Sequence, residues 1–324
     1  MNKLKNEKFV AVLLSTYNGQ EFLKEQLDSL ISQNNNNFKV FIRDDGSNDK
    51  TLNICRDYQE RYDDKFLVLD DDLGNLGVTR SFENLMQTVN SELYMFCDQD
   101  DIWLPNKINS AISHYNDFAN KYSKERPVMF YTDLIPFKDS NTIISNSYLK
   151  LINADTNPEL DDLIFSVPTW GCTCIFNAAM KDKALPMPRY IRYHDGWLCL
   201  LAYLSNSLIY IDECDIYYRL HDKNSSNASK TVNKHSIKNF YHRIKMALLG
   251  DEKGQDILKR KINQSVLALE KTSTQKGSDF YKAMTGNVYS RILFFVWSKT
   301  LAKRSILFSP NLLKAVVDYK KKDD

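Results

Sequence analysis

Phe9–Gly19 reads FVAVLLSTYNG. Seven residues of continuous apolar, partly β-branched chain, Phe9–Ser15, run straight into a turn signature at Thr16-Tyr17-Asn18-Gly19. A run without polar alternation predicts a strand buried on both faces, which is the habit of parallel sheets covered by helices. The pattern repeats downstream. Leu23, Leu27, Leu30 and Ile31 recur at helical spacing, and Phe38–Arg43 is a second strand closing on Asp44-Asp45-Gly46-Ser47. Thr51–Tyr62 reads as a helix, Phe66–Leu69 as a short strand, Ser81–Val89 as a helix, and Leu93–Cys97 as a strand ending in Asp98-Gln99-Asp100-Asp101. Such βα alternation predicts an α/β fold with a mostly parallel sheet, whose ligands bind beyond the carboxyl ends of the strands. Three of these strands end there in acidic, polar or turn-forming residues.

Beyond Lys107 a helix to about Tyr122 and a strand Val128–Thr132 are expected. They are followed by the strand Thr173–Asn177, a helix near His194–Leu204, and strands Leu208–Asp212 and Ile216–Leu220. The 324 residues suffice for one large domain and an appendage. The net charge of +2 hides an asymmetry. Residues 1–229 carry 23 basic against 33 acidic side chains, and residues 230–324 carry 20 against 8. The polar stretch Asn224–Lys234 therefore marks the expected boundary between a catalytic region, 1–229, and a basic helical region, 230–324. Within the former, residues 9–105 are expected to bind nucleotide and 106–229 to bind acceptor.

The bulk properties also exclude. The apolar runs, of which Ile292–Trp297 is among the longest, fall short of a bilayer span, and the polar start Met1–Lys8 has no signal-peptide core, so a cytoplasmic protein is expected. The six cysteines form no CxxC pair and read as reduced, buried thiols. Cys172 and Cys174, two apart on a strand, would share one face of the core.

Asp98 and Asp100, at i and i+2 past a buried strand, can share one hard cation. Mg²⁺ or Mn²⁺ suits such a pair, with substrate phosphates completing the shell. A solvated acidic turn is the alternative. Asp101, just before Ile102-Trp103, reads as the cap of the next helix. Asp45 can accept from a nucleobase or ribose, or can simply make an Asx-turn.

Four blocks carry a resemblance. Phe9–Gly19, Phe41–Lys50 (FIRDDGSNDK), Asn75-Leu76-Gly77 with Arg80-Ser81-Phe82, and Tyr94–Trp103 (YMFCDQDDIW) resemble the successive motifs of family 2 glycosyltransferases. The rhamnosyltransferase-like members of bacterial surface-polysaccharide assembly are the nearest variant. The resemblance covers about residues 9–222 and implies a GT-A fold. It also implies transfer of one sugar, with inversion, from a nucleotide-diphosphate sugar to a hydroxyl of a saccharide or lipid-linked saccharide. UDP- or dTDP-linked donors, dTDP-rhamnose among them, are implied. Thr16, Tyr17, Asn18, Asp45, Asn75, Arg80 and Asp98 would then line the donor site, and Asp100 would contact the metal.

The same resemblance extends to Trp170-Gly171 and to His194-Asp195-Gly196-Trp197, read as acceptor-side blocks. Asp195 matches the general base, with a helix N-cap as its alternative or additional role. Gly196 stands where many relatives carry an aromatic. Tyr217-Tyr218-Arg219-Leu220-His221 resembles the family's closing block, with Arg219 as a diphosphate clamp and His221 as a third metal ligand or a structural histidine. Asn224–Lys230 would be a mobile loop over the donor.

Two other classes fit less well. A sugar-phosphate nucleotidyltransferase needs a Gly-rich phosphate loop, and no GxG occurs in the chain. A non-catalytic carbohydrate-binding protein needs no acidic groups at three strand ends. For the basic region, apolar positions from Ile237 to Leu248 and in Tyr289–Lys303 are interleaved with Lys and Arg. They suit contact with an anionic membrane, packing on the catalytic region, or a homodimer. No nucleic-acid motif accompanies the charge.

Overall fold

The computed structural model describes residues 4–5, 9–138, 142–160, 163, 167–189, 191–222, 252–272, 274 and 277–287. Leu4–Lys5 and Val89–Asn90 form a small parallel pair of their own; in chain order the remaining strands are β1 (Val10–Thr16), β2 (Phe38–Asp44), β3 (Phe66–Val68), β4 (Leu93–Cys97), β5 (Ile102–Trp103), β6 (Met129–Phe137), β7 (Cys174–Asn177) and β8 (Leu208–Arg219). Its helices are α1 (Leu23–Ile31), α2 (Thr51–Arg61), α3 (Val78–Thr88), α4 (Lys107–Lys121), α5 (Tyr148–Leu151), α6 (Ala178–Ala184), α7 (His194–Leu204), α8 (Glu252–Thr272) and α9 (Ser278–Thr285).

Strands β1 to β8 form one sheet in the order β3-β2-β1-β4-β7-β6-β8-β5. Pairing is parallel from β3 through β4, antiparallel on both sides of β7, and parallel again between β6 and β8. The expected mixed, mostly parallel sheet flanked by helices is what forms. β1 has β2 on one side and β4 on the other, so the connections diverge at β1. The crevice beyond Thr16 and Cys97 is the switch point at which such sheets bind ligands.

Both faces of the sheet are buried, which explains the unbroken apolar runs. Val10, Val12 and Leu14 of β1 join the core under α1, α2 and α4, while Ala11 and Leu13 join the core under α3 and α7. The described part of the C-terminal region enters that second core. Ile262, Val266 and Leu269 of α8, spaced as one helical stripe, are buried against it. The segments containing Ile237–Leu248, Tyr289–Lys303 and Asn224–Lys230 lie outside the described residues.

Four expectations need correction. Residues 208–219 form one bulged strand rather than two, because no Gly or Pro interrupts them and β6 pairs along the length. Asp101 caps no helix. Ile102-Trp103 instead pairs antiparallel with Ile216-Tyr217, and α4 starts only at Lys107. Cys172 and Cys174 fall in opposite cores, since Cys172 sits in a 3-10 turn (Gly171–Thr173) and breaks the strand alternation. The N-cap of α7 is Tyr193, which leaves Asp195 inside the first turn.

Candidate active site

A cavity of about 870 Å³ opens at the switch point. Its walls come from the β1 turn, the loop after β4, the Trp170–Gly171 turn, the start of α7, and α8.

The β1 turn is held by Gln99. The Tyr17 N–H donates to Gln99 Oε1 at 2.8 Å, and Gln99 Nε2 donates to the Tyr17 carbonyl at 3.0 Å. Gly19 is required by this contact, because a Cβ there would meet Gln99 Oε1 at 2.2 Å. Asn18 adopts φ 46°, and its Oδ1 accepts from the Asn48 N–H at 2.8 Å. Left exposed at the rim is Tyr17, at 46%, an aromatic face available for stacking. Thr16 is buried and donates to Asp44 at 2.9 Å.

Asp45 lines the cavity, but its carboxylate is already engaged. Oδ1 accepts from the Arg43 guanidinium and the Leu76 N–H, and Oδ2 accepts from the Gly77 N–H at 2.8 Å. Asn75 Nδ2 donates to the Asp45 carbonyl at 2.9 Å and faces the cavity. Asp45 therefore builds the loop that presents Asn75.

The acidic block divides its labour. Asp98 and Asp100 line the cavity. Burial first, then Asp100 and Asp195, push the Asp98 carboxyl up to about 7. Asp101 turns inward, is fully buried, and accepts the Arg219 N–H at 3.1 Å. His221 Nε2 lies 2.9 Å from Asp100 Oδ2. Mutually repelling carboxylates beside an imidazole nitrogen are a hard-donor set that fits a divalent cation such as Mn²⁺ or Mg²⁺. Asp98, Asp101 and Cys172 also bring a ligand atom each within 4.8 Å of one another, although Asp101 and Cys172 are deeply buried.

At the start of α7, burial pushes the Asp195 carboxyl up to about 6, against N–H groups of Gly196, Asp195 and Gly171 that favour its charge. His194 is 4% exposed, stacks on Phe82 at 4.1 Å and meets Phe96 edge-on at 4.5 Å. Its ring nitrogens have no hydrogen-bond partner among the described residues. Burial among these rings pushes its pKa down to about 3, so it is neutral near pH 7. It packs against Gly171, where a Cβ would stand 3.1 Å from His194 Nε2. Trp170 lines the same wall, edge-on to Tyr148.

Three residues expected at the site are placed elsewhere. Trp197 is fully buried and donates to the Ala184 carbonyl at 2.9 Å. Two residues apart on a helix, it points away from the face that carries Asp195. Arg80 pairs with Glu83 of the same helix, α3, and donates to the carbonyls of Met187 and Pro188, so it anchors the segment leading to α7. Arg219 lies between Phe22 and Phe137, and bonds the Asp100 carbonyl at 2.9 Å and Glu25 at 2.8 Å. It positions the Asp100 backbone. Conversely, Gln99, Phe22, Arg192, Lys261, Gln264 and Ser265 line the cavity without having been expected there. A Cβ on Gly196 would sit 3.8 Å from Val167 Cγ2 and 3.9 Å from Gln264 Nε2, so Val167 and α8 border the space that the missing aromatic opens.

Residues 11–162 match the model of glycosyl transferase family 2. The chain carries a family 2 glycosyltransferase domain. The dTDP-rhamnosyl transferase RfbG of Shigella flexneri is 29% identical to the glycosyltransferase over 237 residues, which cover 67% of this chain and 74% of that one. The fold matches that of S. aureus TarS 1–349, solved in complex with UDP-GlcNAc, with TM-score 0.51 and 17% identity over 95% of this chain and 88% of that one. It also matches the mannosyltransferase PcManGT of Pyrobaculum calidifontis, solved with GDP-Man and Mn²⁺, with TM-score 0.52 and 14% identity over 96% and 88%. The chain thus has the fold of these transferases, the GT-A architecture.

Proposed function

We propose that the enzyme moves a single hexose-type sugar, with inversion, from a UDP- or dTDP-linked donor to a hydroxyl of a saccharide or lipid-linked saccharide. The observation that carries this reading is that carboxylates from two distant parts of the chain line one cavity. Asp98 and Asp100 lie at the end of β4, and a half-buried carboxylate of raised basicity, Asp195, lies at the start of α7. dTDP-rhamnose is the donor favoured by the likeness to the rhamnosyl transferase.

The base is expected against Tyr17 and Asn75, and the diphosphate near Asp100 and His221. These two, with Asp98, would hold Mn²⁺ or Mg²⁺, which when bound neutralises charge on the departing diphosphate. Asp195 takes the proton of the acceptor hydroxyl as that oxygen attacks C1. The bond from C1 to the diphosphate oxygen breaks, and its electron pair leaves with the nucleotide. The cavity wall of Trp170, Gly171 and His194 holds the acceptor in line, which is the larger share of such catalysis.

Product analysis tests the proposal. Incubation with dTDP-rhamnose or UDP-sugars and Mn²⁺ should release nucleoside diphosphate and form a glycoside of inverted anomeric configuration. Retention of configuration, or release of a sugar 1-phosphate, would refute it.

A further inference from the structure

The β1 turn and the loop after β4 leave the sheet side by side. Their strands pair in parallel as far as Leu14 and Cys97, and beyond that register a side chain makes the link. The Gln99 carboxamide accepts from the Tyr17 N–H at 2.8 Å and donates to the Tyr17 carbonyl at 3.0 Å, so both of its polar atoms hold one residue's backbone. Gly19 closes the contact from the other side, since a Cβ there would stand 2.2 Å from Gln99 Oε1. Asn18 and Gly19 are tied elsewhere. Their N–H groups donate to Ser47 Oγ at 2.9 Å and to Thr51 Oγ1 at 2.8 Å, both past the end of β2.

Gln99 stands between Asp98 and Asp100, the carboxylates that fit a divalent cation, and all three line the cavity with Tyr17. The middle residue of the acidic turn therefore grips the residue that presents its aromatic face at the rim. The grip needs a carboxamide. Glutamine offers an acceptor and an N–H donor together, whereas an ionised glutamate would set its charge against the Tyr17 carbonyl and leucine offers neither group. Whatever orders the Asp98–Asp100 turn thus also lowers the cost of ordering Tyr17. Two ligands that favour one arrangement of a shared element strengthen each other by the same factor, commonly about fivefold or more.

We propose that Gln99 is a positioning residue that couples the two halves of the donor site, so that a divalent cation at Asp98 and Asp100 readies Tyr17 for the nucleobase, and the base in turn favours the cation. This rests on the reading above, in which the base meets Tyr17 and the cation meets the acidic turn. Gln99 acts through the Tyr17 backbone and needs no contact with either ligand.

The test is calorimetric titration of the full chain with uridine and thymidine, with and without Mn²⁺, because nucleosides carry no phosphate through which the ion could hold them. In the wild type Mn²⁺ should tighten the binding of at least one nucleoside about fivefold or more. Gln99→Leu should abolish that gain, while Mn²⁺ alone, followed by electron paramagnetic resonance, still binds. Gly19→Ala, which displaces the carboxamide without altering the acidic turn, should do the same. Failure of UDP and dTDP to bind in Mn²⁺ would overturn the donor reading and the coupling with it. Binding of UDP or dTDP, with nucleoside binding absent or indifferent to Mn²⁺ in the wild type, would overturn the coupling alone. A gain that persists in either variant would assign it to direct contact between ion and ribose and also overturn it. Loss of Mn²⁺ binding in both variants would make Gln99 a support of the metal site only, again overturning the coupling.

Discussion

The imidazole of His221, at the end of β8, stands 2.9 Å from the Asp100 carboxylate in the loop after β4. Two segments 121 residues apart thus meet at one point of the cavity wall. The ring is backed by Phe22 at 4.8 Å, and the Asp100 carbonyl is fixed by Arg219. The pair is held from behind on both sides.

Asp100→Ala is accordingly expected to abolish transfer and to uncouple nucleotide binding from metal. His221→Ala should weaken metal-dependent UDP or dTDP binding by about 10- to 100-fold, on the scale seen when groups supporting a metal are lost. Calorimetry with and without Mn²⁺ measures both. Equal nucleotide affinity of the wild type in EDTA and in Mn²⁺ would remove the basis of the metal assignment.

Asp195→Asn keeps the shape and removes the proposed proton acceptor. Turnover should drop by about 10²–10⁴ while donor affinity stays near that of the wild type. Near-normal turnover in the variant would place the base elsewhere.

The same carboxylate sets a pH dependence. Its folded pKa of about 6 is raised above the ordinary carboxylate value, so it acts as a base only when ionised. Turnover should fall with unit slope as pH drops through about 6. For stability the sign is opposite. A raised folded pKa favours the protonated native form, so this contribution is present below about pH 4 and is lost as pH rises through about 6. Asp195→Asn should therefore be more stable than wild type by about 1–2 kcal/mol at pH 7.5, with the gain vanishing near pH 4. Parallel denaturation curves at the two pH values check it; a gain that is the same at both would contradict it.

Arg43 is fully buried and pairs with Asp45 and Asp71, bonding also the Gly74 carbonyl at 2.8 Å. Arg43→Met should cost about 3–5 kcal/mol, because it strands two carboxylates inside the protein. It should also loosen the loop that carries Asn75. Arg56→Met, which breaks an exposed pair with Asp70, should leave the melting temperature unchanged. Similar melting temperatures for the two variants would deny Arg43 this role.

Leu269 on α8 is 4% exposed and packs in the core beneath α7. Leu269→Ala should destabilise the whole protein by about 2–5 kcal/mol in one cooperative transition. A helix that only rested on a membrane would show no loss in solution, so an unchanged denaturation midpoint would count against the packing described.

The strands were legible in the sequence because burial on both faces writes itself as runs such as Val10–Leu14 and Leu93–Cys97. The acidic tails marked the sheet edge where the cavity opens. Asp98 and Asp100 could be nominated because two carboxylates two apart past a buried strand suit a shared cation, and Asp195 through the family resemblance; all three line the cavity. The sequence alone could not divide residues that look alike. Of three neighbouring carboxylates, Asp101 turns inward only because Ile102-Trp103 pairs with a strand more than a hundred residues later. Trp197 and Asp195 read as one motif, yet helix geometry sends them to opposite sides. Arg80 and Arg219 read as ligand clamps, and their guanidiniums are taken by carbonyls and carboxylates that only the fold brings near. Lys261 and Gln264 carried no local signal, because an amphipathic helix reads the same whichever surface it covers. Local pattern fixed which segments are buried; which polar side chains face the cavity depended on long-range pairing, for which a single sequence holds no periodic record.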